Sequence, residues 1–508
     1  MLQINDLTMA HRKDMKILIE NFTAVINRGD RVAIIGEEGN GKSILLRWLW
    51  GDPTLTDFLE IQGQRINQFD SVGYLPQSLS EAELALSVAD FFFQSGDFDI
   101  DYANLYQIAA RLQFDVELLY ATRSMKSLSG GERIKVQLLQ ILMKQPDVLL
   151  LDEPSNDLDI ESLVWLEQFI NEFSGTIVYI SHDVTFLTNT ATAIIHIERL
   201  VHKRQPRVTY AKLGYADYIE QRTQSDAKQQ QLANQQRAAD EQRMQTLRQQ
   251  TQRVHHQMAN TNNDVAGRLL AKKMANLKAL NHRFERDRAQ FVERPISEDA
   301  ILLGFDQVSP LPKSKRIVSL DNYRLEVDGK QLACNISLLM NGQDKIGIIG
   351  RNGMGKSTLL QAIWQQLPDI SEMKAGYMPQ NYEELLPVNL SPIEYLQEKG
   401  DREELTRIMT YLGALRYLPE EMERPIQQLS GGQKAKLLLM RLDFHRCNVL
   451  FLDEPTRNFS PQSVPELIET FQRFEGAILT VSHDRAFLAA VCDKIYQLKS
   501  DGLYLVSN

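Results

Sequence analysis

Short apolar runs bounded by turn residues occur near both ends of the chain. Val32–Ile35 and Ile346–Ile349 each lead into a glycine-rich segment, which is followed by residues that favour helix. Further apolar runs follow in both regions, for example Val148–Leu151 and Thr176–Ile180 in the first. This pattern predicts buried strands that alternate with helices, and therefore an α/β fold near each end.

Between these regions the pattern changes to that of long helices. Residues 221–260 contain 13 glutamines but no proline or glycine, and their Gln, Ala, Leu and Arg residues favour helix. Residues 265–291 place apolar side chains at steps of three or four, which indicates one face of a helix. These apolar positions are Leu270, Met274, Leu277, Leu280 and Phe284.

Asn and Asp residues separate the two helical segments and favour a turn. The simplest interpretation is an antiparallel helical hairpin with its tip near residues 253–266. A helix of 40 residues would be about 60 Å long, more than a domain core requires, so we expect the hairpin to project. A helical linker lying flat across both flanking domains and a disordered glutamine-rich spacer are the alternatives.

The chain contains one set of motifs twice. The segment GEEGNGKS at residues 36–43 recurs as GRNGMGKST at 350–358, LSGGE recurs as LSGGQ, and the segments LDEP and SHD each occur at the matching places. The spacing repeats as well, because 24 residues separate Ser129 from Glu153 and the same number separates Ser430 from Glu454. We therefore expect three domains, at residues 1–200, 201–298 and 299–508, of which the first and third are copies of one α/β unit.

Each glycine-rich segment lies between a strand and a helix, which is the context that a phosphate-binding loop needs. Glycines let backbone N–H groups close around phosphates, and the helix N-terminus favours negative charge. The lysine of each loop is expected to bind phosphate oxygens, and the serine after it to coordinate Mg²⁺. The candidate residues are Gly36, Gly39, Asn40, Gly41, Lys42, Ser43, Gly350, Asn352, Gly353, Gly355, Lys356, Ser357 and Thr358.

Paired carboxylates follow the later apolar runs. Asp152 and Asp453 are expected to hold Mg²⁺ directly or through water, and the adjacent Glu153 and Glu454 to orient or deprotonate an attacking water. A single histidine after a strand usually has a structural role, but here the histidine recurs at the same spacing. His182 and His483 are therefore candidates for contacting the γ-phosphate.

These motifs together resemble the ATP-binding cassette family, whose signature sequences include LSGGE and LSGGQ. The resemblance implies two P-loop cassettes that pair head to tail, with ATP and Mg²⁺ held between one phosphate loop and the opposite signature. It identifies Gln77 and Gln380 as glutamines that contact the metal. One site then takes the signature residues Ser430, Gly431 and Gly432, and the other takes Ser129, Gly130 and Gly131.

Two departures from the cassette pattern bear on activity. The stretches at 9–11 and 325–327, where cassettes usually carry an aromatic residue for base stacking, contain no Phe, Tyr or Trp. The preference for ATP over GTP is therefore open. SNDLD follows Glu153 as in other cassettes, whereas TRNFSPQS follows Glu454, so the two sites are not expected to turn over alike.

Composition narrows the kind of cassette protein. The three cysteines are too few for the metal-binding cassette proteins of ribosome recycling and excision repair. The N-terminus does not resemble a signal peptide, and no run of about 18 apolar residues predicts a membrane span, so we expect a cytoplasmic protein. What remains resembles the ABC-F family, which carries two cassettes in one chain joined by a helical linker, so one monomer can build both sites.

Charge is distributed unevenly. The whole chain has a net charge of -10, but residues 201–290 contain 17 Lys and Arg against 8 Asp and Glu, a local net charge of +9. A basic helical segment suits phosphate backbones of RNA, although a charge run alone more often marks a solvated face. The candidate RNA-contacting residues are His255, His256, Gln257, Met258, Asn260, Lys272, Lys273 and Arg283.

The ABC-F resemblance implies that ATP closes the cassettes on the ribosome at its tRNA exit site. The linker then reaches toward the P-site tRNA and the peptidyl-transferase centre, with large-subunit rRNA and not DNA as the nucleic-acid partner. Within this resemblance we favour ribosome protection that gives antibiotic resistance, because TRNFSPQS is similar to a variant among Gram-positive members. The alternatives are a housekeeping factor that relieves stalled ribosomes and the ATPase subunit of a membrane transporter.

Overall fold

The computed structural model describes residues 1–93, 101–200, 205–260, 264–288, 291–292, 305, 308–327 and 329–506. Residues 1–215 and 298–508 form one compact unit, and residues 216–297 form a second. We refer to residues 1–215 as the first cassette and to residues 308–506 as the second cassette.

The first cassette alternates strands and helices along the chain. Its elements are β1 (Leu2–His11), β2 (Ile17–Ile26), β3 (Arg31–Ile35), α1 (Lys42–Trp50), β4 (Leu59–Asn67), β5 (Val72–Leu75), α2 (Glu81–Ala85), α3 (Val88–Phe93), α4 (Tyr102–Arg111), α5 (Gly130–Leu142), β6 (Val148–Leu151), α6 (Ile160–Glu172), β7 (Thr176–Ile180), α7 (Val184–Thr190), β8 (Ala193–Leu200) and β9 (Gln205–Ala211).

Two long helices follow, and the second cassette repeats the α/β order. These elements are α8 (Tyr215–Ala259), α9 (Asp264–Arg288), β10 (Arg316–Val327), β11 (Lys330–Asn341), β12 (Lys345–Ile349), α10 (Lys356–Gln365), β13 (Ala375–Met378), α11 (Pro392–Leu396), α12 (Arg402–Ala414), α13 (Pro419–Glu423), α14 (Gly431–Phe444), β14 (Val449–Asp453), α15 (Val464–Arg473), β15 (Ala477–Val481), α16 (Arg485–Val491), β16 (Lys494–Lys499) and β17 (Gly502–Val506).

Each cassette is built on a six-stranded sheet of the same topology. The strand order is β5-β6-β7-β3-β8-β9 in the first and β13-β14-β15-β12-β16-β17 in the second. The first five strands of each sheet are parallel, and the last is an antiparallel edge strand. Apolar runs such as β6 and β14 are buried along their whole length, as is usual for parallel strands covered on both faces.

This topology positions the candidate chemistry. β3, β6 and β7 are parallel neighbours, so their carboxyl ends lie at one edge of the sheet. The phosphate loop follows β3, the Asp-Glu pair follows β6, and the Ser-His pair follows β7. β12, β14 and β15 bring the same three segments together in the second cassette, which confirms the predicted tandem α/β cassettes.

The two long helices confirm the predicted helical linker between the cassettes. Their apolar faces meet in a small core in which Leu247 and Val254 of α8 pack with Met274 and Leu277 of α9. α8 continues to Ala259, so the candidates His255, His256, Gln257 and Met258 lie in its last turns and are exposed. Residues 261–263 of the predicted tip lie outside the described residues.

Among the described residues, no helix combines the length and apolarity needed to cross a membrane.

Candidate functional site

The two phosphate loops depend on glycine at matched positions. Gly36 has φ +143°, and a Cβ there would lie 2.1 Å from the carbonyl oxygen of Ile197. Gly350 has φ +153°, and a Cβ there would lie 2.6 Å from the carbonyl oxygen of Leu498. Only glycine fits both the backbone angle and the space, so each loop can pass close to its sheet before α1 or α10 begins.

The lysine of each phosphate loop donates hydrogen bonds to carbonyl oxygens of its own loop. Lys42 Nζ donates to the carbonyl oxygens of Gly36 and Glu37, at 2.8 and 2.9 Å. Lys356 Nζ donates to those of Gly350 and Arg351, at 2.8 and 3.0 Å. Burial lowers the pKa of both ammonium groups, although neighbouring carboxylates oppose that shift. An anion inside the loop would therefore stabilise a desolvated cation.

The serine and aspartate of each cassette supply oxygen atoms that suit a hard cation. Ser43 Oγ donates to Asp152 Oδ1 at 3.0 Å. Burial raises the pKa of Asp152 to about 6, and burial raises that of Asp453 to about 6 as well. Asp453 Oδ1 is buried and has no hydrogen-bond partner among the described residues. These oxygens fit Mg²⁺, because a hard cation takes such ligands and would compensate the buried charge.

The adjacent glutamates differ sharply in their contacts. Glu153 accepts hydrogen bonds from Gln77 Nε2 at 2.8 Å and from Asn156 Nδ2. Glu454 Oε2 accepts only a 3.3 Å bond from the backbone N–H of His483 in the described part of the chain. Both glutamates have φ near +50°, a backbone angle that non-glycine residues adopt rarely and mostly at functional sites.

Glu153 and Glu454 therefore have different pKa values. Burial alone would raise the pKa of Glu153, but the hydrogen bond and charge of His182, with Lys42 and Asn156, lower it to about 2. Burial raises the pKa of Glu454 to about 8, because the amide of His483 and the charge of Lys356 compensate it only in part. Near neutral pH, Glu153 is therefore ionised and Glu454 is largely protonated.

The two histidines also differ. His182 Nδ1 lies 3.1 Å from the carbonyl oxygen of Phe459 in the opposite cassette, and this nitrogen donates because a carbonyl oxygen can only accept. Its Nε2 faces Glu153 Oε1 at 3.7 Å, which is the side from which its hydrogen bond and charge lower the pKa of Glu153. His483 Nε2 lies at a similar 3.6 Å from Glu454 Oε1, but its Nδ1 is buried without a partner in the described residues. Burial lowers the pKa of His483 to about 4.

The signature motifs begin long helices with the same cap. Ser129 caps α5, where its N–H donates to Glu132 Oε2 at 2.9 Å and its hydroxyl accepts from the Glu132 N–H at 3.3 Å. Ser430 caps α14 in the same way with Gln433, at 3.0 and 3.3 Å. These reciprocal bonds are capping boxes, and each fixes the start of the helix that carries the signature glycines.

Contacts across the cassettes bring each phosphate loop against the opposite cassette. Asn352 Nδ2 donates to the carbonyl oxygen of Asp157, and Arg457 Nη2 donates to Asp157 Oδ1 at 2.9 Å. On the other side, Gly432 N donates to Glu38 Oε2 at 3.3 Å. The cassettes are therefore associated head to tail within one chain.

Two cavities lie between these surfaces and differ in size. The larger, of about 800 Å³, is lined by Lys356, Ser357, Gln380 and Glu454 together with Ser129 of the opposite signature. The smaller, of about 360 Å³, is lined by Glu37–Asn40 and by Ser430 and Gly432. We call the larger cavity with its phosphate loop the Lys356 site. The Lys42 site is the first phosphate loop with Lys42, Asp152 and Glu153. The smaller cavity borders this loop at Glu37–Asn40, and its lining does not include Lys42 or Glu153.

Most candidates of the second phosphate loop, with Gln380, Asp453, Glu454 and His483, line the larger cavity. In the first cassette, Ser43 bonds Asp152 and Gln77 bonds Glu153. The hairpin candidates lie in the other unit of the chain.

Four groups outside the predicted set contact predicted site residues. They are the side chains of Tyr74, Asn156 and Glu38 and the carbonyl group of Phe459. The contrast between SNDLD and TRNFSPQS pointed to this region, because Asn156 and Arg457 occupy its matched positions.

Comparisons with known proteins agree with this geometry. A family model described as ABC transporter matches residues 19–156 and 333–457. The chain is 29% identical to the probable ATP-binding protein YheS of Escherichia coli K12, over 96% of this chain and 77% of that protein. It is 30% identical to the ATP-binding protein Uup of the same strain, over 93% of this chain and 76% of that protein.

A solved structure shares the fold. It is the complex of archaeal ribosomal stalk protein aP1 and archaeal ribosome recycling factor aABCE1, matched with a TM-score of 0.58 and 15% identity over 98% of this chain and 89% of that chain. The family model covers more than half of the chain, and both halves carry the phosphate loop, the signature, the Asp-Glu pair and the histidine. The chain belongs to the ATP-binding cassette ATPases, and among them to the ABC-F family.

Proposed function

We propose that this ATPase acts on the ribosome, with ATP binding closing the cassettes and hydrolysis releasing the complex. The observation that carries the proposal is the charge of the hairpin, a unit of exposed cations within an otherwise acidic chain. The recycling-factor complex that shares the cassette fold includes a ribosomal stalk protein, which supports the same setting.

The hairpin has the dimensions and surface of an RNA-contacting element. At 1.5 Å per residue, the 45 residues of α8 extend for about 67 Å. Lys272, Lys273 and Arg283 of α9 are exposed, whereas its apolar residues face α8. Such cations bind phosphate backbones without sequence preference. We infer that the hairpin acts on large-subunit rRNA and P-site tRNA from the tRNA exit site.

The exposed last turn of α8 would meet single-stranded nucleotides. His255, His256, Gln257, Met258 and Asn260 present imidazole, amide and thioether groups to solvent. Asn260 Nδ2 lies 3.2 Å from His256 Nδ1, so the two side chains form one polar surface. Such groups recognise unpaired bases, which supports an action near the peptidyl-transferase centre.

In the cassettes, Lys42 and Lys356 would bind phosphate oxygens of ATP. Ser43, Gln77 and Asp152 would hold Mg²⁺ in the Lys42 site, as Ser357, Gln380 and Asp453 would in the Lys356 site. The metal would neutralise phosphate charge. Glu153 and Glu454 would then orient the attacking water, with His182 and His483 beside them.

The decisive experiment is ribosome cosedimentation of the double variant Glu153→Gln, Glu454→Gln in ATP. Without the two carboxylates, ATP should stay bound, and we expect several-fold more protein with ribosomes in ATP than in ADP. The double variant remaining in the supernatant in ATP would show that the proposal is wrong.

A charge variant tests the role of the hairpin in the same background. Replacing Lys272, Lys273 and Arg283 with alanine should weaken sedimentation at least tenfold and reduce its salt dependence, because phosphate contacts are lost. Lys313, Lys315 and Arg316 are exposed in the second cassette, and their triple alanine variant is the matched control. Equal losses from both triples would contradict a specific role for the hairpin.

We further propose that this activity protects ribosomes from antibiotics. The supporting observation is the divergent segment after Glu454, which forms cross-cassette contacts through Arg457 and Phe459. Expression in a sensitive host should raise growth on lincosamides, pleuromutilins, streptogramins or phenicols. Unchanged growth on all four classes, with ribosome binding intact, would favour a housekeeping role at stalled ribosomes.

A further inference from the structure

The two phosphate loops differ at one matched position that faces the opposite cassette. Asn352 is the third residue of GRNGMGKS, and Glu38 is the third residue of GEEGNGKS. Asn352 donates to the carbonyl oxygen of Asp157 and accepts from Lys356 Nζ at 3.3 Å. Glu38 instead accepts from the backbone N–H of Gly432 at 3.3 Å. One loop therefore carries a neutral amide where the other carries a carboxylate.

Glu38 reaches the first turn of α14, a helix of 14 residues. N–H groups in a first turn lack partners within the helix, and the helix dipole favours an anion there. Oε2 also lies where a side chain on Gly431 would clash, because a Cβ at that residue would be only 2.8 Å away. The absence of a side chain at Gly431 thus allows the carboxylate to approach the helix end.

The surroundings of this contact favour anions. The smaller cavity at the first phosphate loop is lined by cationic side chains from both cassettes, including Lys16, Arg416 and Lys436, and these outnumber its carboxylates. The ammonium group of Lys42 is desolvated, and Glu38 is one of the carboxylates whose charge opposes the resulting shift of its pKa. Cations, phosphate-loop amides and a helix N-terminus together suit a polyphosphate. Glu38 places one negative charge of the chain itself in these surroundings.

We propose that Glu38 sets the nucleotide affinity of the Lys42 site by competing with nucleotide for the N-terminus of α14. A nucleoside triphosphate must displace this carboxylate before its own anionic groups meet Gly432. The Lys356 site has Asn352 at the matched position and no such competition, so it fills at lower nucleotide concentration. Glu38 thereby makes the two sites fill in order, and this holds whether or not the ribosome is the partner.

Binding of a fluorescent ATP analogue with Mg²⁺ to the full chain tests the proposal. The Lys356→Ala background restricts strong binding to the Lys42 site. In that background Glu38→Asn, which copies the other loop, should tighten binding at least fivefold, because the competing contact is removed. Unchanged or weaker binding would overturn the proposal.

Two further variants separate contact from charge. Glu38→Asp keeps the charge but shortens the side chain, so it should lose the reach to Gly432 and behave like Glu38→Asn. Wild-type affinity in Glu38→Asp would show that only the charge matters and would overturn the proposed contact. Glu60→Gln removes the same charge from an exposed position of the first cassette outside the site and should change affinity less than twofold, whereas tightening equal to that of Glu38→Asn would also overturn the proposal.

Hydrogen exchange gives a readout that does not depend on nucleotide. In the nucleotide-free chain, amides at residues 430–434 should exchange faster in Glu38→Asn and Glu38→Asp than in wild type, because the carboxylate no longer caps α14. Exchange in the first signature, residues 129–133, should stay unchanged. Equal exchange in all forms at residues 430–434 would overturn the proposal even if nucleotide affinity changed.

Discussion

The Lys42 and Lys356 sites are built from the same motifs on the same topology, yet their catalytic carboxylates have opposite surroundings. Glu153 is held by Gln77 and Asn156, whereas Glu454 is buried with little compensation. The distances from each glutamate to its histidine are nearly equal, at 3.7 and 3.6 Å. The difference comes chiefly from the histidines, because the hydrogen bond and charge of His182 lower the pKa of Glu153, whereas burial lowers the pKa of His483 itself to about 4. A repeated motif therefore does not guarantee a repeated protonation state.

The arrangement also divides the tasks between the sites. The Lys356 site has the larger cavity and carries the neutral Asn352 where the other loop has Glu38, which favours binding. The Lys42 site has Glu38 at the smaller cavity that borders its loop, but its Glu153 is ionised and oriented. We therefore expect nucleotide to bind first at the Lys356 site and to be hydrolysed faster at the Lys42 site.

The largest expected effect is on steady-state ATP hydrolysis at saturating ATP. Glu153→Gln should reduce turnover more than tenfold, because it removes a carboxylate that is already ionised and oriented. Glu454→Gln should reduce turnover only about twofold, because Glu454 must first lose a proton. Phosphate release measured for the two single variants checks this order. A greater loss from Glu454→Gln would reverse the proposed division of tasks.

A smaller effect should come from the residues three positions after each glutamate. Asn156→Ala removes a donor to an ionised carboxylate and should lower turnover roughly three- to tenfold, which corresponds to about 0.6–1.4 kcal/mol of activation free energy. The Arg457 side chain donates to Asp157 across the cassettes, and in the described residues it donates no hydrogen bond to the Glu454 carboxylate. Arg457→Ala should therefore lower turnover less than twofold. Equal losses in phosphate release would refute the idea that Asn156 distinguishes the sites.

Sequence alone predicted the tandem cassettes and the helical linker, because loops, strands and helices follow local patterns that repeat. It could not predict which residues meet across the cassettes. Glu38 and Gly432 are 394 residues apart, and no spacing rule connects them. Nor could it predict that Asn156 bonds Glu153 while Arg457 turns away from Glu454, because both depend on tertiary packing. The tip was predicted at residues 253–266, and in the structure α8 continues to Ala259 and α9 begins at Asp264.

The smallest expected effect is on the stability of the nucleotide-free chain, and it should have opposite signs at the two glutamates. The pKa of Glu454 is about 8 in the folded chain against an ordinary 4.5. Between these values the folded state binds more protons than the unfolded state, so this group makes stability fall as pH rises. The pKa of Glu153 is about 2, so its stabilising contribution is fully present above pH 4.5 and is lost only in acid.

Thermal unfolding with a chelator present measures both signs. Relative to wild type, Glu454→Gln should unfold at a similar temperature near about pH 5 and at a temperature higher by a few degrees near about pH 8.5. Glu153→Gln should unfold a few degrees below wild type at both pH values, because the amide cannot replace the ionised acceptor of Gln77 and Asn156. Because each variant is compared with wild type at the same pH, other titrating groups cancel. Parallel shifts of the two variants would mean that the two carboxylates have the same surroundings, and the contrast between the sites would then have to come from Glu38 alone.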